Sequence, residues 1–130
     1  MVSREEQRAR VEAALAAHLL DHGLAQTSLR ELARAAAVSD RMLLYHFGSK
    51  EELVAALLEY LASLYAATLD AAFPDGAATS RRSLAEAVLR TTAQPDFAPF
   101  MRVWWDIVAG CADGNAHYLA SAGAMADRLL

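Results

Sequence analysis

Residues 27–53 read TSLRELARAAAVSDRMLLYHFGSKEEL, and the punctuation of this stretch decides the fold. Ser28 followed by Glu31 has the S-x-x-E spacing of a capping box, with Thr27 a competing cap one position earlier. Leu29, Leu32, Ala33 and Ala36 then recur at helical spacing, which turns them inward on a short helix. The alanines leave room for a second helix to cross closely. After Ala37-Val38, Ser39 is placed to cap a further helix that Gly48 stops behind Phe47. Ser49-Lys50-Glu51-Glu52 is another capping box, and it opens a long helix. Two short helices joined by a tight turn form a helix-turn-helix, whose second helix enters the DNA major groove.

Working outward, the rest of the chain is also helical. Its 130 residues are rich in alanine, poor in β-branched runs, and patterned at three and four residues. A first helix is expected from about Glu5 to Asp21, burying Val11, Ala14, Leu15, His18 and Leu19 and ending at Gly23. The long helix beginning at Ser49 carries Leu53, Val54, Leu57, Leu58, Leu61, Leu64, Tyr65 and Leu69 on its apolar side and is unbroken to Phe73. Pro74-Asp75-Gly76 opens a linker through Arg82. A fifth helix over 83–92 shows an apolar face of Leu84, Ala87 and Val88, with Thr91 beside it. Pro95 and Pro99 bracket the start of a sixth that runs to Gly110, and Asp113-Gly114-Asn115 turns the chain into a seventh with Tyr118, Leu119, Met125 and Leu129. The fold class is therefore all-α: a three-helix helix-turn-helix domain over 1–50, then a helical sensing and dimerisation domain over 51–130. The last helix stops at Leu130 with neither a capping glycine nor a polar tail, so the second domain is expected to be C-terminally incomplete.

Composition narrows the function classes. Hydrophobic residues make up 55% and charged residues 22%, a globular balance. No apolar run approaches the ~20 residues of a membrane span, and Met1–Arg10 mixes acids with arginines, unlike a signal peptide. A cytoplasmic address with no membrane partner is expected. The single cysteine, Cys111, has no internal disulfide partner and reads as a reduced thiol. The net charge of −4 argues against a polyanionic partner, but between Leu24 and Lys50 four cations oppose two carboxylates, a local excess of +2. No paired carboxylates in an apolar setting, G-x-S-x-G, H-E-x-x-H or phosphate loop is found, so no enzyme and no cofactor is expected. His18 and His22 lie one turn apart, as metal ligands can, but lack a third ligand nearby and are assigned to a structural helix.

The DNA-facing chemistry can be assigned residue by residue. Asp40, Arg41 and Tyr45 are the outward positions of the recognition helix, with Met42, Leu43 and Phe47 turned inward or along the groove wall. Free N–H groups at the start of the preceding helix, with the Thr27 and Ser28 hydroxyls, suit one phosphate. Lys50 suits a second, and Arg30 reaches a phosphate or a guanine. Arg34 reads as a solvated surface charge.

The 27–53 stretch resembles the N-terminal domain of the tetracycline-repressor (TetR) family of bacterial regulators. The matching elements are Thr27, Leu32-Ala33, Ala36, Val38-Ser39, Leu43, His46-Phe47, Lys50-Glu51 and Leu53. With the flanking helices the resemblance covers about half the chain. It implies DNA-binding roles at Ser39, Leu44 and His46 as well, His46 at a backbone-contact position. Two departures stand out. The family's turn glycine is Ala37 here, and a left-handed backbone there would cost up to ~1–2 kcal/mol. The aromatic that usually follows Leu43 is Leu44, with Tyr45 next, about 100° further round the helix. Arg41 replaces a commonly small residue, which makes it a source of sequence preference.

The resemblance further implies a second domain that binds a small-molecule effector, and homodimers that pair through two C-terminal helices, a pair absent from the seven counted here. Leu61, Tyr65, Phe97, Phe100, Met101, Trp104, Trp105 and Tyr118 could line an apolar cavity. The competing assignment is plain core packing. Trp104 and Trp105 are adjacent and point ~100° apart, so one of them faces a cavity, a partner or solvent. The expected activity is that of a repressor on a double-stranded inverted-repeat operator, released when ligand tilts the long helix. The alternative is a helical protein-interaction or small-molecule-carrier module with weak or no DNA binding.

Overall fold

A computed structural model describes residues 3–25, 27–72 and 80–129, and these form seven α-helices with no strand among the described residues. Pro74-Asp75-Gly76, Phe73 and Leu130 lie outside them. The helices are α1 (Arg4–His22), α2 (Leu29–Ala35), α3 (Asp40–Phe47), α4 (Lys50–Ala72), α5 (Arg81–Thr92), α6 (Ala98–Ala112) and α7 (Ala116–Leu129), with a short 3-10 turn at Pro95–Phe97 before α6.

Serine caps start most of them. The Ser28 hydroxyl accepts from Glu31 N–H, Ser39 from Met42 N–H and Ser49 from Glu52 N–H, each at 3.1 Å. Ser28, not Thr27, is therefore the cap of α2. α1 has a capping box of its own, Ser3 with Glu6, which the sequence reading did not single out. Asn115 starts α7 by accepting from His117 and Tyr118 N–H through its side-chain oxygen.

The turn after α2 is tight because Ala37 adopts φ 57, the left-handed conformation expected of a glycine. Ala37 N–H donates to Arg34 carbonyl and Val38 N–H to Ala33 carbonyl, so the last carbonyls of α2 are satisfied without glycine. The same double closure recurs at the end of α6, where Gly114 N–H donates to Cys111 carbonyl and Asn115 N–H to Gly110 carbonyl.

One continuous core joins the two ends of the chain. Leu15 and Leu19 of α1, Leu32 of α2, Leu43 of α3, Leu53, Leu57 and Leu58 of α4 and Ile107 of α6 are all buried within it. α4 meets α1, α3 and α7, and α6 meets α1 and α7. By length and composition α4 passes for a membrane span (mean hydropathy 1.4), contrary to expectation. Its leucines at 53, 57, 58 and 61 are covered by protein, so one face of the helix belongs to the core. Gly110 brings α6 against α7, since a Cβ there would fall inside the Tyr118 ring.

Four expectations are corrected. α5 starts at Arg81, capped by Ser80, so the linker ends sooner than Arg82. Its apolar face is not buried either: Leu84 is exposed, and only Ala87, Val88 and Thr91 are half-covered, because α5 packs chiefly on the 3-10 turn. Leu64 of α4 also lies at the surface. α6 continues past Gly110 to Ala112.

Candidate nucleic-acid interface and apolar cavity

α3 presents two faces. Leu43, His46 and Phe47 are buried against the core, whereas Asp40, Arg41, Leu44 and Tyr45 are exposed together. That exposed set repeats at one and four residues, so it forms a single outward stripe. Leu44 at 40% and Tyr45 at 57% are exposed apolar surface, unusual for side chains that would otherwise be placed inward. Leu44 and Tyr45 thus share the face that the sequence expected Tyr45 to occupy.

Cationic residues stand on the helices before and after α3. Arg30, in the first turn of α2, and Lys50, the first residue of α4, are exposed, as is Ser39, while Thr27 and Ser28 are half-buried at the mouth of α2. Lys50 also borders a small groove with Asn115, His117, Tyr118 and Ser121, so the start of α7 adjoins the start of α4.

His46 sits differently from the other residues implied by the resemblance. It follows Leu43 by three positions, so its ring turns to the buried side of α3, off the outward stripe. Neither ring nitrogen has a partner among the described residues. Burial, reinforced by the nearby Arg4 and Arg8 charges, holds its pKa below the usual histidine value. His18 and His22 stack at 4.3 Å, and His22 Nδ1 lies 3.1 Å from the His18 carbonyl. No group of three or more His, Cys, Asp or Glu among the described residues is placed to hold a metal ion.

A cavity of about 200 Å³ lies between α4, α6 and α7. Of the residues anticipated for it, Leu61, Tyr65, Phe100, Met101 and Trp104 line it. Phe97 is buried behind the wall, its ring edge-on to Tyr65 at 5.8 Å. Trp105 is 62% exposed and points away, and Tyr118 borders the Lys50 groove instead. The sequence reading missed Leu58, Ala62, Val103 and Met125 as lining residues. Leu58 and Ala62 lie within a turn of Leu61 and Tyr65, and Met125 lies two turns beyond Tyr118, so helical spacing from the aromatic positions would have reached them. Partial burial raises the pKa of the Tyr65 hydroxyl.

α6 connects this cavity to the helix-turn-helix. Phe100, Met101, Val103 and Trp104 face the cavity. Arg102 and Asp106 lie on the opposite side of the same helix, at ~100° per residue. Asp106 Oδ2 accepts from Leu24 N–H at 2.7 Å and from Ala25 N–H at 3.3 Å. Arg102 Nη1 donates to the Asp21 carbonyl at 2.9 Å. Gly23, at φ 80, makes room for the carboxylate, since a Cβ there would lie 2.9 Å from Asp106 Oδ2. Nothing in the sequence pattern paired residues this distant.

Residues 12–57 match the family model described as bacterial regulatory proteins, tetR family. Among curated proteins and among solved structures, nothing matches the chain. The match spans the helix-turn-helix and its flanking helices, where the exposed stripe of α3 and the basic flanks stand.

Proposed function

We propose that this chain, whose residues 12–57 match the tetR family of bacterial regulatory proteins, is a DNA-binding transcriptional regulator of that family and a ligand-responsive repressor, with its reading head in residues 1–50 and its sensing and dimerisation domain in 51–130. It works in the cytoplasm as a homodimer on an inverted-repeat operator, and a small apolar effector releases it. Asp40, Arg41, Leu44 and Tyr45 face the bases, while Thr27, Ser28, Arg30, Ser39 and Lys50 hold the phosphates.

The observation that carries the reading is the double role of α6. One side walls the apolar cavity and the other side is hydrogen-bonded to the end of α1 and the loop that leads into α2. A ligand that wedges α6 outward drags on that loop, while α4, about 35 Å long, carries the same displacement to Lys50. In a dimer the two recognition helices must stand about 34–36 Å apart, so a shift of a few ångströms at each head breaks simultaneous docking. A volume of about 200 Å³ favours an effector smaller than a typical drug.

The test is release of a selected duplex by small apolar probes such as indole, with probe binding followed in parallel by calorimetry. Wild type is expected to bind the probe and release DNA. The Arg102→Ala/Asp106→Ala variant is expected to bind the probe with much weaker release. Equal release from both would overturn α6 as the link, and probe binding without any release would overturn the sensing role.

A further inference from the structure

The N-terminal turns of α1 reach the recognition helix through two arginines. The Arg4 guanidinium lies over the Tyr45 ring at 4.4 Å, and the Arg8 guanidinium lies over the Phe47 ring at 4.6 Å. Arg8 Nε also donates to the His46 carbonyl at 3.3 Å, and its Nη1 pairs with Glu12 at 3.5 Å. His46 is in the last turn of α3, where carbonyls lack partners within the helix and a cation is favoured by the helix dipole. The rings of Tyr45, His46 and Phe47 meet edge to face, at 5.4 Å and 6.3 Å between successive centroids. Two stacked cations on α1 therefore grip three successive aromatic residues of α3.

The grip matters because Tyr45 is 57% exposed, and among the described residues its ring contacts are the His46 edge and the Arg4 stack. A ring at the DNA face can discriminate a base only if its orientation is set before docking. Phe47 and the His46 ring are buried beneath, so Arg8 acts on the axis of α3 whereas Arg4 acts on the ring that projects from it.

We propose that Arg4 and Arg8 are positioning residues of the DNA-reading face: Arg8 fixes the end of the recognition helix and Arg4 sets the Tyr45 ring in its reading orientation. This rests on the reading of α3 as the base-facing helix. Arg4 works through Tyr45 rather than through a phosphate of its own, so its contribution vanishes when the ring is removed.

The experiment combines a readout without DNA and one with it. In the free chain, Tyr45 ring proton shifts are compared among wild type, Arg4→Ala and Arg8→Ala; both substitutions are expected to move them. On a randomised duplex library, Arg4→Ala is expected to flatten preference at one base position by roughly two- to fivefold, the scale of an exposed cation–π contact. In a Tyr45→Ala background the same substitution is expected to change nothing further. Unfolding midpoints of all variants separate this from loss of fold, because a merely structural role lowers the midpoint and leaves the preference intact. Unmoved ring signals overturn the inference without reference to DNA. An equal effect of Arg4→Ala with and without Tyr45 overturns it in favour of a direct phosphate contact. A wild-type chain with no base preference overturns the reading of α3, and the inference with it.

Discussion

Asp106 accepts the Leu24 N–H at 2.7 Å across 82 positions of sequence, and it does so from the helix whose other side walls the cavity. The Leu24 and Ala25 amides lie just beyond α1, where they have no place in a helical ladder, so a carboxylate is well suited to them. Arg102, one turn earlier, takes the Asp21 carbonyl that the end of α1 leaves over. The pair ties the start of the reading head to the sensor by hydrogen bonds as well as by the core around Ile107.

Removing that carboxylate leaves two amides to find water. Asp106→Ala is therefore expected to lower stability by about 1.5–3 kcal/mol in denaturant unfolding, the range for hydrogen bonds to a charged partner. Asp106→Asn keeps an acceptor oxygen and is expected to recover about half of the loss. Equal losses in both would show that charge, not acceptance, matters there.

Ala37 carries a backbone conformation that favours glycine, at φ 57, with its side chain exposed. Ala37→Gly removes the steric cost and adds unfolded-state entropy, for a net gain of up to about 1 kcal/mol. Ala37→Val, branched at a left-handed position, is expected to lose more than that. Thermal unfolding of the two variants against wild type checks the sign of each.

The caps at Ser28, Ser39 and Ser49 and the helix order are legible in the sequence, because each depends on residues a few positions apart; the left-handed turn at Ala37 follows only from the family resemblance, and the caps at Ser3 and Ser80 escape the sequence reading. Ser28, Ser39 and Ser49 bond amides three residues on, and Ala37 closes on Ala33 and Arg34. The Asp106–Leu24 and Arg8–His46 contacts were not legible, since they join residues 82 and 38 positions apart and no periodicity encodes them. The exposed stripe of α3 was read in large part, but His46 was assigned to DNA on the strength of a family position. Its ring follows Leu43 onto the buried side. At the cavity, Trp105 and Tyr118 were grouped with the lining because aromatic content does not say which way a helix is rotated. The bare face of α5 shows the same limit: Leu84 has the spacing of a core residue, yet it is exposed among the described residues.

His46 makes stability depend on pH. Its folded pKa is lowered by burial and by Arg4 and Arg8, so the unfolded chain binds the proton more readily. The contribution is fully present above the unfolded value, about 6.5, and is lost as pH falls through it toward the lower folded value. Unfolding midpoints recorded between about pH 7.5 and 5 should fall on the acid side, and His46→Phe should flatten that fall. An unchanged slope in His46→Phe would assign the acid sensitivity to other groups.

The most direct test is the affinity of the chain for its best selected duplex, measured across salt for wild type, Arg41→Ala and Lys50→Ala. Wild-type log affinity is expected to fall linearly with log salt. Arg41→Ala should cost ~1–3 kcal/mol on that duplex and relax preference at one base position. Lys50→Ala should weaken all sequences alike and reduce the salt slope by about one. Absence of duplex binding at low salt, or an unchanged preference profile in Arg41→Ala, would contradict the assignment of α3 as the reading helix.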